Sequence, residues 1–156
     1  MVKRNLSADV LKALAGRRLA TAESLTGGGI GQALTAVSGA SAVFAGGVIS
    51  YTNEVKHRVL GVPVETLNTC GAVSAPVAKA MAEGARHCLG ADVAVAVTGL
   101  AGPDGDEYGN PVGTVFIGYA DDTTAFAREY HFSGDRAAVR EQTIEAALML
   151  ILEMNQ

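Results

Sequence analysis

Ser24 stands in the stretch Thr21-Ala22-Glu23-Ser24-Leu25-Thr26-Gly27-Gly28-Gly29-Ile30. Here a short strand over Arg18–Thr21 gives way to apolar residues at helical spacing, Ile30, Ala33, Leu34 and Val37. A hydroxyl in such a turn can do two kinds of chemistry. Backbone N–H groups and the helix dipole can hold an anion, and the serine can act as a nucleophile if a base lies within reach. The common phosphate motifs do not fit. Gly27-Gly28-Gly29 is followed by Ile30 where a Walker A loop needs Lys-Ser/Thr, and the third glycine of a dinucleotide fingerprint falls on Gln32 or Leu34. Ser24 also lacks the flanking glycines of a hydrolase elbow.

The choice of base is narrow. His87 follows the apolar stripe of a helix, His131 falls in a strand with an edge-like pattern, and His57 neighbours Lys56. No Ser-His-Asp set emerges, so a Ser-Lys pair is the better chemical idea, because a desolvated lysine can lose its proton near neutral pH. Lys56 is placed a few residues after the strand that ends at Tyr51, on the N-terminal side of a short helix, where the dipole disfavours a cation. A solvated surface lysine is the alternative. Asp104-Gly105-Asp106-Glu107 fails as a calcium loop, since the twelfth position is Val115, and reads as a solvated turn. Ser133-Gly134-Asp135-Arg136 joins a helix N-terminus to a guanidinium, which suits a phosphate or carboxylate; a plain cap with a surface arginine fits equally well.

Elements must position these groups. Residues 6–16 read as a helix opened by Ser7 and closed by Gly16, and Val43–Tyr51 as a strand. Thr52 or Asn53 caps a short helix over Val55–Leu60, and a second covers Val64–Cys70. Ser74-Ala75-Pro76 opens a helix that ends at Gly90. Asp92–Val97 is an uncharged central strand running into a second glycine-rich loop at Thr98–Pro103. Gly113–Ala120 and Thr124–Phe132 form a hairpin, and Ser133-Gly134-Asp135 caps a helix over Arg136–Glu153. This order predicts a single α/β domain over residues 1–156, a three-layer α/β/α sandwich on a mixed, mostly parallel sheet.

Composition limits the partners. A net charge of −4 with no basic run longer than Arg17-Arg18 argues against a nucleic-acid binder. Cys70 and Cys88 have no CxxC spacing and read as free thiols in a reducing compartment. No apolar run reaches the roughly 18 residues of a membrane span. The basic start Met1–Asn5 leads into no signal-type apolar region, so a cytoplasmic protein is expected.

Seven segments, in register over residues 6–154, resemble one family. They are Ala22–Gly28, Gly47–Lys56, Leu60–Val62, Gly71–Ser74, Thr98–Pro103, Pro111–Val115 and Phe132–Arg136, and together they resemble the CinA C-terminal domain in its stand-alone form. The resemblance implies a nicotinamide-nucleotide amidase, which hydrolyses the carboxamide of nicotinamide mononucleotide (NMN) to nicotinate mononucleotide and ammonia in pyridine-nucleotide salvage, with no metal or organic cofactor. It implies catalytic roles for Ser24, Lys56 and Tyr51. Substrate contacts are expected from Ser41, Thr98, Gly99, Gly102 and Arg136, and an oxyanion site around Thr26, Gly27 and Gly28. Leu25 replaces the cysteine usual in the family, and Thr52 replaces a serine. A homo-oligomer, with a dimer favoured, accompanies this reading. A nucleotide-binding sensor without turnover, or an amidase for another pyridine compound, remain the alternatives.

Overall fold

Val93, Val95 and Val97 turn one face of the central strand toward bulky neighbours, while Ala94 and Ala96 turn the other toward small ones. That asymmetry organises the molecule. The computed structural model describes residues 4–156; Met1–Lys3, the first part of the basic start noted above, lie outside them. Strand β1 (Leu19–Glu23) is followed by β2 (Phe44–Ile49), β3 (Val93–Gly99), β4 (Thr114–Ala120) and β5 (Ala125–His131), in the sheet order β2-β1-β3-β4-β5. β1 pairs in parallel with β2 and β3, and β4 pairs antiparallel with β3 and β5. Four strands therefore point the same way and β4 alone runs against them.

Helices α1 (Leu6–Ala13), α2 (Gly29–Thr35) and α6 (Arg136–Met154) pack with the valine face, where Val10, Leu14, Ile30, Leu34, Leu148 and Ile151 join Val95 and Ile117. Helix α5 (Ala75–Cys88) covers the alanine face, with Val77, Met81, Ala82 and Ala85 against Ala20, Ala22, Ala94 and Ala96. Small residues let this helix come close. A methyl at Gly118 would lie 2.1 Å from the Ala78 carbonyl oxygen, so only hydrogen fits there. The short helices α3 (Asn53–Arg58) and α4 (Val64–Cys70) link β2 to α5. No helix among the described residues is long and apolar enough to cross a membrane.

Several local expectations shift. Asn5, not Ser7, caps α1, its side chain accepting from the Ala8 N–H. Ser74 precedes α5 but caps nothing; its hydroxyl donates to the Gly71 carbonyl instead. Pro76 explains part of this, because it removes one of the N–H groups that a capping serine would serve. Thr52 does cap α3, accepting from the Val55 N–H, and Asp135 caps α6, accepting from the Ala138 N–H.

Candidate functional site

The parallel strands β2, β1 and β3 lie side by side and end at one edge of the sheet, the place where open α/β sheets form ligand crevices. The ladder extends one residue past β1 in both directions, with the Ser24 N–H donating to Val97 O and the Ser50 N–H donating to Glu23 O. These bonds fix Ser24 and Ser50 beside each other at the sheet's edge. A cleft of about 460 Å³ opens above them, lined by Ser24, Lys56, Tyr51, Thr98, Arg136 and the Gly99–Asp104 loop.

The Ser24 turn is held from within by Glu23. Its carboxylate is 2% exposed and accepts from Thr26 Oγ1 at 2.6 Å, the Ile30 N–H at 2.8 Å and the Gly31 N–H at 3.0 Å. A side chain of this protein thus occupies the first turn of α2, satisfying donors that an outside anion would otherwise take. From the other side Arg140 donates to the Leu25 and Thr26 carbonyls at 2.9 and 3.3 Å. The Gly27 N–H is spent on Ser24 O, and Gly29 N–H on Thr26 O. The N–H groups of Leu25 and Thr26 find no acceptor among the described residues.

Lys56 reaches this turn from α3. It is 1% exposed, and its Nζ donates to Ser24 Oγ at 3.2 Å, Ser50 O at 2.8 Å and Tyr51 O at 3.4 Å. Three acceptors meet the three donors of an ammonium, and no carboxylate lies within ion-pair distance among the described residues. Burial without a counter-charge lowers the lysine's pKa from 10.5 to about 8. The cause differs from the one expected. Lys56 lies in the last turn of α3, where the dipole favours a cation, so desolvation does the lowering.

Tyr51 touches this group through its main chain only. Its carbonyl accepts from Lys56, while its phenol oxygen accepts from Arg136 Nη2 at 3.3 Å on the rim. Arg136 also donates to Gly102 O at 2.7 Å, tying the start of α6 to the loop after β3. Thr98 donates to Ala72 O at 2.8 Å, and Gly99 and Gly102 present backbone to the cleft. A methyl at Gly99 would press within 2.8 Å of the Thr114 carbonyl oxygen.

The remaining expected positions fall elsewhere. Thr26, Gly27 and Gly28 form the far part of the turn, outside the cleft lining. Ser41 stands in a 3-10 turn at Ala40–Ala42 before β2, its carbonyl accepting from Arg18. Since β2 runs parallel to β1, Ser41 and Ser24 are separated by the whole length of β2, roughly 20 Å. A single chain does not bring them together. Glu23 and Arg140 were not singled out from the sequence. Their signals are faint: Glu23 adjoins Ser24, and Arg140 follows Arg136 by one helical turn on the same face. Leu25 is 5% exposed and forms cleft wall as well as core.

Comparison with known proteins gives a consistent picture. The family model described as the CinA C-terminal domain matches residues 3–155. A CinA-like protein of Geobacter sulfurreducens is 52% identical over 85% of this chain, which spans 32% of that longer protein. The nicotinamide-nucleotide amidohydrolase PncC of Pseudomonas putida is 48% identical, the alignment covering 88% of this chain and 86% of that protein. A crystal structure of a CinA superfamily protein from Klebsiella pneumoniae 700603 superimposes with a TM-score of 0.93 at 37% identity, over 97% of both chains.

Proposed function

This chain belongs to the CinA C-terminal domain family, and from that premise we propose that it hydrolyses the carboxamide of NMN to nicotinate mononucleotide and ammonia. The observation that carries the reading is the contact between Ser24 Oγ and a buried, uncompensated Lys56 Nζ on the floor of the cleft. The Pseudomonas relative, which matches nearly end to end, supports the choice of substrate.

Neutral Lys56 takes the Ser24 hydroxyl proton as Oγ attacks the carboxamide carbon. The Leu25 N–H, free of a protein acceptor and on the cleft wall, stabilises the negative charge on the former carbonyl oxygen. As the C–N bond breaks, the Lys56 ammonium returns that proton to the leaving nitrogen, which departs as ammonia. Lys56, neutral again, accepts a proton from water. The hydroxide attacks the acyl-enzyme ester, and the released Ser24 oxygen recovers the proton from Lys56. Tyr51 and Ser50 hold the amine through their carbonyls during both half-reactions. Arg136, at the N-terminus of α6 and on the cleft wall, binds the substrate phosphate with the Thr98–Gly102 loop.

Ammonia release from NMN tests the reading. Wild-type protein releases it, and Ser24→Ala and Lys56→Met do not. Either variant retaining activity within about tenfold of wild type, or ~1.4 kcal/mol, removes that residue from the mechanism.

A further inference from the structure

Ser50 carries an anomaly that the reaction as written does not use. It is fully buried, and its Oγ is the one buried side-chain polar atom among the described residues without a hydrogen-bond partner. Its main chain is tied down at both ends of the residue. The N–H donates to Glu23 O, and the carbonyl accepts from Lys56 Nζ at 2.8 Å. The hydroxyl of the residue whose carbonyl holds Nζ therefore has no donor or acceptor within hydrogen-bond reach, Lys56 Nζ included. A buried unsatisfied hydroxyl is costly, and such groups call for a specific explanation.

The proton inventory of Lys56 supplies one. As an ammonium it has three donors, and Ser24 Oγ, Ser50 O and Tyr51 O take all three. It then has no use for another donor, and Ser50 Oγ stays out of its reach; a turn of the Ser50 side chain about χ1 is what brings the hydroxyl to the amine. As a neutral amine it keeps two N–H groups for the two carbonyls and gains a lone pair. While Ser24 is free, its own hydroxyl serves that lone pair. Once Ser24 is esterified, its oxygen has no proton to donate, and the lone pair needs a new partner. Ser50 lies next to Ser24 in the extended ladder and one residue's backbone away from Nζ.

We propose that Ser50 is a positioning residue for Lys56, its hydroxyl donating to the lysine amine whenever that amine is neutral and Ser24 cannot. No bond is made or broken at Ser50. It holds the amine unprotonated and aimed until water takes its place. The inference rests on the Ser24–Lys56 reading. The other titratable groups on the cleft are Tyr51, Asp104 and Arg136, with Glu23 turned away to α2, and Glu54, His57 and Arg58 on the lysine's own helix. None forms an ion pair with Lys56.

The test is the pH profile of steady-state kcat, which includes breakdown of the acyl-enzyme, for NMN hydrolysis by wild type, Ser50→Ala and Lys56→Met, with thermal unfolding of each. Ser50→Ala is expected to lose at least about tenfold at neutral pH, with its acid limb moved upward by about half a pH unit or more. Its Tm should equal or exceed that of wild type, because the change deletes an unsatisfied group. An unchanged profile, or lost activity with an unmoved limb and a lowered Tm, overturns the proposal. Lys56→Met retaining wild-type activity overturns the dyad and this inference together, whereas an inactive Lys56→Met beside an unaffected Ser50→Ala overturns the role of Ser50 alone.

Discussion

The carboxylate of Glu23 accepts the backbone N–H of Ile30 at 2.8 Å, across the turn that presents Ser24. With Gly31 N–H and Thr26 Oγ1 as further donors, this one side chain closes the loop between β1 and α2 and fills the helix N-terminus. The helix N-terminus beside Ser24 is consequently taken by the protein's own carboxylate, and Arg136 is the guanidinium that lines the cleft.

Glu23→Ala leaves buried donors without an acceptor and is expected to cost about 2–4 kcal/mol of stability. Activity should fall further than stability alone explains, since Ser24 loses its mount. Urea unfolding alongside NMN hydrolysis of the folded variant measures both; a variant as stable as wild type would contradict the role given to the carboxylate.

Lys56 must be neutral to act as a base. With its pKa lowered to about 8, kcat/KM should rise with pH below that value, about tenfold per unit, and level off above it. A flat profile between pH 6.5 and 8 would exclude Lys56 as the titrating base.

The same burial has a stability signature. The folded-state pKa, about 8, lies below the 10.5 of the free side chain, so between these values the unfolded chain binds the extra proton and stability rises with pH. The full difference is of order 3 kcal/mol. Tyr119, raised to about 12 by burial, acts in the opposite sense once pH passes its ordinary value near 10. Denaturant unfolding between pH 7.5 and 9.5 should therefore show increasing stability in wild type and a much weaker slope in Lys56→Met.

Arg136 joins Tyr51 and Gly102 at the cleft rim. Arg136→Ala should raise KM for NMN at least about tenfold while leaving hydrolysis of the riboside, which has no phosphate, nearly unchanged. Equal losses on both substrates would assign Arg136 to holding the loop and not to the phosphate. Arg136→Lys should recover little, because an ammonium lacks the planar fork.

Close approach of α5 to the sheet and to the turn after α3 depends on glycine. Gly118→Ala would place a methyl 2.1 Å from Ala78 O, and Gly84→Ala one 1.9 Å from Leu60 O. Each should destabilise by about 1–3 kcal/mol or more, read from the urea midpoint, as rigid backbone has to move.

Much of this was legible in the sequence because it is local. Alternating valine and alanine in β3, the Thr52 and Asp135 caps and the glycine-rich ends of β1 and β3 depend on residues a few positions apart. The order of elements then implied an α/β sheet with helices on both faces, and Ser24 and Lys56 could be picked out as chemistry-bearing types. Tertiary structure decided what those residues meet. The partners of Lys56 include Ser24, 32 positions away, and the anchor of its turn is Arg140, 115 positions from Leu25. Burial lowered the lysine's pKa, a property of the surrounding volume that no spacing encodes. Parallel pairing sent Ser41 to the far end of β2 while bringing Ser50 beside Ser24. Sequence determines which groups exist and the local backbone that carries them; only the packed sheet determines which are drawn out of water together, and in that shared desolvation the chemistry arises.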